Sequence, residues 1–410
     1  MPESSNIRPC LRPVEAFPVE HENEQMILIQ DPTGLATAPL VISRGGFFVV
    51  GLLDGKHTLE QIQVQFLTHF GRVLPREQLE EMVGQLDAAH YLATEGFAAY
   101  YDGLVANYRA APVRAGRDAA SFGADDDGLD HFLDGLLGGR RLAETRSSGR
   151  RLAGLVAPHL DYPRGRPCYA AAYGALAEAG PVDRVVILGT NHFGQGPSAV
   201  ATGKDFETPL GVTPTDRAFL DRLQNRLGVD LCQHEFDHLR EHSVELQVVI
   251  LQHLLGADRF KIVPVLCPDP CGPNGTAPYD GQGVDLHVFG ETLGALVADD
   301  EDSTLIVAGA DLSHFGWRFG DNCELDVSFL ADIERKDREA LGALVAGRSD
   351  LFLDTIRGRE NDTRICSAGC IYALTAALPG IKPELLGYHQ AVDRESGTAV
   401  SCTAMAMWRS

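Results

Sequence analysis

No stretch of the 410-residue sequence approaches the ~18 to 20 consecutive apolar residues that a membrane-spanning helix requires. The opening residues, MPESSNIRPC, lack the apolar core of a secretory signal, so a cytoplasmic protein is expected. Basic residues are scarce: 35 Lys and Arg stand against 57 Asp and Glu, a formal net charge of -22. Such a charge repels phosphate backbones and anionic lipid, so neither nucleic acid nor a membrane is an expected partner. Cysteine is too sparse for a disulfide scaffold, with nine residues, an odd number, scattered from Cys10 to Cys402. The thiols are therefore available for metal. Two pairs have C-x3-C spacing, Cys267/Cys271 and Cys366/Cys370, but neither has a second C-x-x-C or H-x3-H nearby to complete a zinc module. What remains is an ordinary globular composition, 44% hydrophobic and 22% charged, in a chain long enough for two or three domains.

The first hundred residues have a logic of their own. Residues 26–30 (MILIQ) and 47–53 (FFVVGLL) read as strands flanking the turn-rich DPTGLATAP. Thr58 is a candidate N-cap, and Leu59, Ile62, Phe66 and Phe70 recur at helical spacing. A second helix starts near Pro75, with Leu79, Met82, Val83 and Leu86 on one face, and HYLATEGF reads as a short returning strand. Strands, helices and a returning strand predict a small winged-helix-like α+β domain over 1–103. The strand pair, LLDGKHTLEQI and LDAAHYL together resemble the PqqD-like domains over roughly residues 22–97. That resemblance implies a peptide-recognition or docking module of the kind found in systems that modify ribosomal peptides. The residues alone are equally compatible with an unspecialised winged-helix appendage, and acidity argues against DNA.

Residues 104–111 read as a linker, and the next unit as 112–410. Within it a polar GADDDG precedes a helix candidate, LDHFLDGLL. Apolar strand-like runs, LAGLVAPH, DRVVILGTNH, FKIVPVLC and STLIVAGADLSH, then alternate with helical stretches such as CYAAAYGALAEAG, SVELQVVILQHLLG and LHVFGETLGALVAD. The alternation predicts an α/β fold, a sheet flanked by helices, whose sites lie beyond the strand C-termini. Three of the four strand runs lead straight into histidine.

His159 follows the first run and His192 the second. Two successive rim histidines favour metal ligation over two unrelated surface residues. In REHSVELQ, Glu241, His242 and Glu245 precede or open a helix, and His242 and Glu245 stand three apart, the spacing of one helix face; a helix-capping or solvated pair is the alternative. Asp311 and His314 follow a buried-looking strand, and a nearby acid is what a ligand or base histidine needs to fix its tautomer. His234, His238, His253, His287 and His389 read as surface or structural. Cys366 and Cys370 open an Ala-rich helix whose N-terminus favours thiolate; packing is the alternative, and spacing does not choose between them.

APHLDY, VVILGTNH, ETPLGV, EHSVELQ, KIVPVL, DLSHFGWRF and TRICSAGCIYAL occur in one order that resembles the MEMO family, also known as AmmeMemoRadiSam system protein B, across about 112–410. The resemblance implies a sheet like that of the class III extradiol ring-cleaving dioxygenases and a non-haem metal site. Carried across, the metal ligands fall on His159, His192 and Cys366, the acid and base positions on Asp311 and His314, and the histidine-glutamate motif on His242 and Glu245 in the same cleft. Two stretches depart from the family pattern. Asp118-Ala119-Ala120 and Ser121-Phe122-Gly123 stand where relatives carry His-Ala-Gly, then Ser and two aromatics. Cys366-Ser367-Ala368-Gly369-Cys370-Ile371 stands where Cys-Gly-x-x-Pro-Ile is common.

Two imidazoles and an anionic ligand leave coordination positions open, the arrangement of non-haem Fe(II) oxygenases, with a softer thiolate replacing carboxylate. The expected cofactor is Fe(II), with copper or zinc as alternatives. The expected function is a metal-dependent, dioxygenase-like oxidoreductase acting on a small-molecule or peptide substrate, with His314 as general acid/base oriented by Asp311. The alternative is a non-catalytic metal-binding partner of a radical SAM or peptide-modifying system.

Overall fold

The chain divides into two compact units, Met1–Ala110 and Ala111–Ser410. The computed structural model describes residues 7–21, 24–117, 126–143, 149–192, 194–321 and 324–409. No helix among the described residues is long and apolar enough to cross a membrane.

In the first unit β1 (Glu15–His21), β2 (Glu24–Gln30) and β3 (Leu40–Ile42) form an antiparallel sheet in that order. Helices α1 (Arg44–Val50), α2 (Leu59–Phe70), α3 (Arg76–Ala88) and α4 (Glu95–Ala110) follow. Helix α2 starts where expected because Thr58 and Gln61 form a reciprocal capping box, and it stops at Gly71 in the left-handed region. Three local expectations fail. Residues 47–50 are helical despite their β-rich composition: Ser43 accepts a hydrogen bond from the Gly46 N–H, and Val49 and Val50 pack into the core beside Ile62 and Phe66. Tertiary burial outweighs propensity there. HYLATEGF contributes a single bridge, Leu92 to Leu11, before Thr94 caps the first turn of α4. Helix α4 then continues through most of the stretch expected to be a linker.

The second unit opens with β4 (Val113–Arg114) and α5 (Asp126–Leu136). It continues through β5 (Arg151–Ala157), α6 (Tyr162–Ala179), β6 (Arg184–Thr190), β7 (Val200–Ala201), β8 (Asp205–Thr208), β9 (Gly211–Thr213) and α7 (Arg217–Leu227). Next come α8 (Glu245–Leu255), β10 (Lys261–Cys267), α9 (Leu286–Ala298), β11 (Thr304–Gly309) and β12 (Asp311–Gly316). Helices α10 (Val327–Val345), α11 (Ser349–Arg357) and α12 (Ala368–Ala377) precede the closing strands β13 (Glu384–Asp393) and β14 (Thr398–Arg409).

The large sheet has the order β12-β14-β5-β11-β6-β10-β7, with β13 paired to β14. Its centre, β5, β11, β6 and β10, is parallel, and β14 and β7 add antiparallel flanks. Every residue of β6 is buried, as a strand covered on both faces requires. Alternate residues serve the two faces: Val186 and Leu188 pack with Phe289 and Leu374, whereas Val185 and Ile187 pack with Leu176 and Val249. Helices α7, α9 and α12 thus cover one face and α5, α6 and α8 the other. The four parallel strands all end at one edge, where the histidine-bearing loops begin.

Candidate metal centre

His159 lies two residues beyond β5 and His192 two beyond β6. His242 comes from the loop before α8. Gly189 and Gly309 admit that loop: a Cβ at Gly189 would sit 2.5 Å from Ser243 Oγ, and one at Gly309 2.7 Å from the Ser243 carbonyl. One ring nitrogen from each of His159, His192 and His242 lies within 4.8 Å of the others. The His192 and His242 rings are stacked with centroids 5.1 Å apart, and His159 meets both edge-on at 4.9 and 5.4 Å.

The hydrogen bonds fix which nitrogens face inward. His159 Nδ1 is 2.9 Å from the Gly309 carbonyl, which can only accept, so the proton sits on Nδ1 and Nε2 is left as a donor for metal. His192 Nδ1 stands 3.1 Å from both carboxylate oxygens of Glu241, and its backbone N–H donates to the same group at 3.0 Å. Glu241 also accepts from the Ser243 N–H at 2.9 Å and lies 3.5 Å from His242 Nδ1. One buried carboxylate therefore hydrogen-bonds the His192 ring, as outer partners of metal-ligating histidines do, and lies within ion-pair range of His242.

Cys366 Sγ is 3.5 Å from His159 Nε2, in the loop before α12, and 3.2 Å from Ser367 Oγ. It is a neighbour of the imidazole trio, so the ligand set implied by the resemblance and the trio share His159 and His192 and differ in the third member. Cys370 sits one turn on, 1% exposed in the core, with Thr190 Oγ1 at 3.5 Å.

Burial pushes the His159 pKa well below that of free imidazole, aided by His192 and His242. For His192 burial acts in the same direction, but the Glu241 charge overrides it and holds the pKa well above the usual value. Glu241 falls below the usual carboxylate range: burial opposes ionisation, and the two histidines outweigh it. Burial raises the Cys366 thiol, with His192 opposing.

The remaining expected residues have different places. Asp311 accepts from the His159 backbone N–H at 3.0 Å, and its carboxyl lies 3.6 Å from His159 Nε2; burial pushes its pKa up to about 7. It does not orient His314, whose Nδ1 faces the carbonyls of Leu312 at 3.0 Å and Arg364 at 3.1 Å. A β-bulge interrupts β12 between the two residues, so their spacing in the sequence does not define how they stand to each other. Burial and the nearby His192 charge lower the His314 pKa to about 4, which keeps it neutral with Nε2 unprotonated. Glu245 does not join the cluster. It is fully buried, paired with Arg114 and bonded by the Arg117 N–H at 2.8 Å. Helix α8 begins only at Glu245, so His242 lies outside it and the expected shared helix face does not form. Sequence reasoning named Glu241 in the REHSVELQ cluster but gave it no role in the site; its signal was its place directly before His242. The departures at Asp118–Gly123 lie outside the described residues.

Residues 114–407 match the family model described as Memo-like protein. A MEMO1 family protein of Thermus thermophilus is 25% identical over 356 residues, covering 87% of this chain and 100% of the relative. One of Aquifex aeolicus is 24% identical over 343 residues, 82% of this chain and 83% of the relative. One of Methanopyrus kandleri is 36% identical over 184 residues, 44% and 59% of the two chains.

Proposed function

The chain belongs to the Memo-like family, and on that premise we propose that its second unit binds a non-haem transition metal through His159, His192 and His242, with Cys366 beside them, and acts as an oxidoreductase. The observation that carries this reading is the convergence of three imidazoles, two of them held through Nδ1 by hydrogen bonds to Gly309 and Glu241. The donor set fits a metal: bonds of ~2.0 to 2.1 Å to imidazole bring ligand nitrogens to within about 4 Å of each other, close to the spacing found. Imidazole with an adjacent thiol suits Fe(II) or copper, with zinc as the hydrolytic alternative. When bound, such a metal supplies open coordination positions for oxygen and substrate.

The protein's own groups supply orientation and proton handling. Glu241 holds the His192 ring. Asp311, whose pKa lies near neutrality, can hold a proton at its carboxyl beside His159. His314 presents an unprotonated Nε2 and fits a general base, with Phe319 edge-on at 5.2 Å walling its ring. The test is oxygen consumption by metal-loaded protein with panels of aromatic small molecules and peptides. Uptake that depends on both metal and substrate is expected; none with iron, copper or any panel member refutes the oxidoreductase reading.

A second reading, docking of an extended peptide on the first unit, is favoured by a groove of about 450 Å3 lined by Ile42, Val49, Phe66, Val73, Leu79 and Met82. Ile42 belongs to β3, which among the described residues pairs with β2 alone, an edge position suited to strand addition. A fluorescent peptide encoded beside the gene should bind and lose affinity in Met82→Glu; no binding refutes it.

A further inference from the structure

The segment carrying Glu241 and His242 belongs to no strand or α-helix. It runs from a short 3-10 turn, Glu235–Leu239, to the start of α8, so its backbone groups need partners from elsewhere. Arg114 on β4, 1% exposed, supplies them. Its Nε donates to the His238 carbonyl at 3.1 Å and its Nη2 to the Glu241 carbonyl at 2.8 Å, while Nη1 pairs with the Glu245 carboxylate. Glu245 accepts in turn from the Arg117 N–H at 2.8 Å, which ties residues 114–117 to the first turn of α8. A second tie acts one residue past His242: Ser243 Oγ accepts from the Thr190 N–H at 2.9 Å and donates to the Thr190 carbonyl at 3.2 Å. His242 is therefore framed by two anchored residues, Glu241 through Arg114 and Ser243 through the end of β6.

We propose that Arg114 is the positioning residue of the metal centre: its guanidinium sets the backbone of the 238–245 segment so that the Glu241 carboxylate reaches His192 and the His242 ring joins His159 and His192. This rests on the metal-binding reading above. Arg114 touches neither the imidazoles nor the thiol, and acts only through Glu241 and His242. The task requires a guanidinium because three acceptors in different directions are met by one planar, permanently charged fork; an ammonium is a single point with three donors.

A buried ion pair complicates the obvious variant, since removing Arg114 alone strands the Glu245 charge and threatens the fold. Replacing both partners with apolar residues of similar length avoids this, so Arg114→Met with Glu245→Met retains a packed interior but loses both carbonyl contacts. Arg114→Lys keeps the charge opposite Glu245 and is the second variant. The probe is Co(II), titrated into the full-length protein and followed by its visible absorption and by competition with a chromophoric chelator. Both variants are expected to keep the wild-type circular dichroism while Co(II) affinity falls at least tenfold, the range seen for lost outer-shell partners, and the absorption bands shift. Folded variants with wild-type affinity and spectrum overturn the proposal and leave the metal reading standing. A wild-type chain that binds no Co(II) overturns the metal reading, and this proposal with it.

Discussion

Replacing Glu241 by Gln tests the orientation of the imidazoles from inside the site. The carboxylate is 2% exposed and accepts from the His192 N–H, His192 Nδ1–H and the Ser243 N–H at 2.9 to 3.1 Å. Glutamine fills the same volume but keeps one acceptor oxygen, and its NH2 meets a donor where an acceptor stood. Losing one hydrogen bond to a charged group costs about 1.5 to 3 kcal/mol. At about 1.4 kcal/mol per tenfold, this is a ~10- to 100-fold loss of metal affinity, the range measured for outer-shell partners elsewhere. The effect has a pH signature. In the metal-free protein the Glu241 charge holds the His192 pKa well above the ordinary value, so a proton competes with metal and wild-type affinity rises with pH. Without that charge His192 sheds its proton at lower pH. The penalty of Glu241→Gln is therefore largest in alkaline solution and shrinks as pH falls. Competition titrations with Co(II) from about pH 6 to 9 would follow it, with circular dichroism as the control for folding. Affinities within twofold of wild type across the whole range would refute the role assigned to Glu241.

Three further outcomes are expected. His238 is fully buried with Nε2 3.0 Å from the Val200 carbonyl, and burial lowers its pKa to about 4. The unfolded chain takes up that proton near pH 6.5, so this contribution to stability is complete above pH 6.5 and is lost as pH falls toward 4, up to about 3 kcal/mol. The stability difference between wild type and His238→Gln, measured by urea unfolding, should narrow over that window; a constant difference contradicts it. Thr58→Ala removes one half of the capping box of α2 and should destabilise the first unit by about 1 kcal/mol in denaturant titrations, with metal affinity unchanged. Leu293→Ala opens a hole between α9 and the sheet at a residue with no exposed surface and should cost about 2 to 5 kcal/mol by the same measurement; a loss under 1 kcal/mol contradicts the packing described.

The central strands were legible because burial on both faces leaves an unbroken apolar run, as in residues 184–190, with a histidine just past its end. His159 and His192 could thus be placed at one rim before any contact was known. Residues 47–50 misled because their identities favour a strand, whereas a cap at Ser43 and the burial of Val49 and Val50 impose a helix. At the site, spacing suggested that His242 and Glu245 act together, but a helix that starts at Glu245 places one in the cluster and the other against Arg114. Likewise Asp311 serves His159 rather than His314, whose Nδ1 faces the carbonyls of Leu312 and Arg364 across a β-bulge that the sequence does not announce. Glu241 and Arg114 left no periodic trace. Their roles come from contacts across 49 residues to His192 and across 127 to the Glu241 carbonyl.

The most direct measurement is metal content per chain after anaerobic purification, comparing wild type with His159→Ala, His192→Ala, His242→Ala and Cys366→Ser. The imidazole trio predicts close to one iron or copper per wild-type chain, and loss of that metal in each histidine variant while circular dichroism stays unchanged. Metal retained in all three histidine variants, or absent from wild type and not restored by added Fe(II), Cu(I) or Co(II), would contradict it.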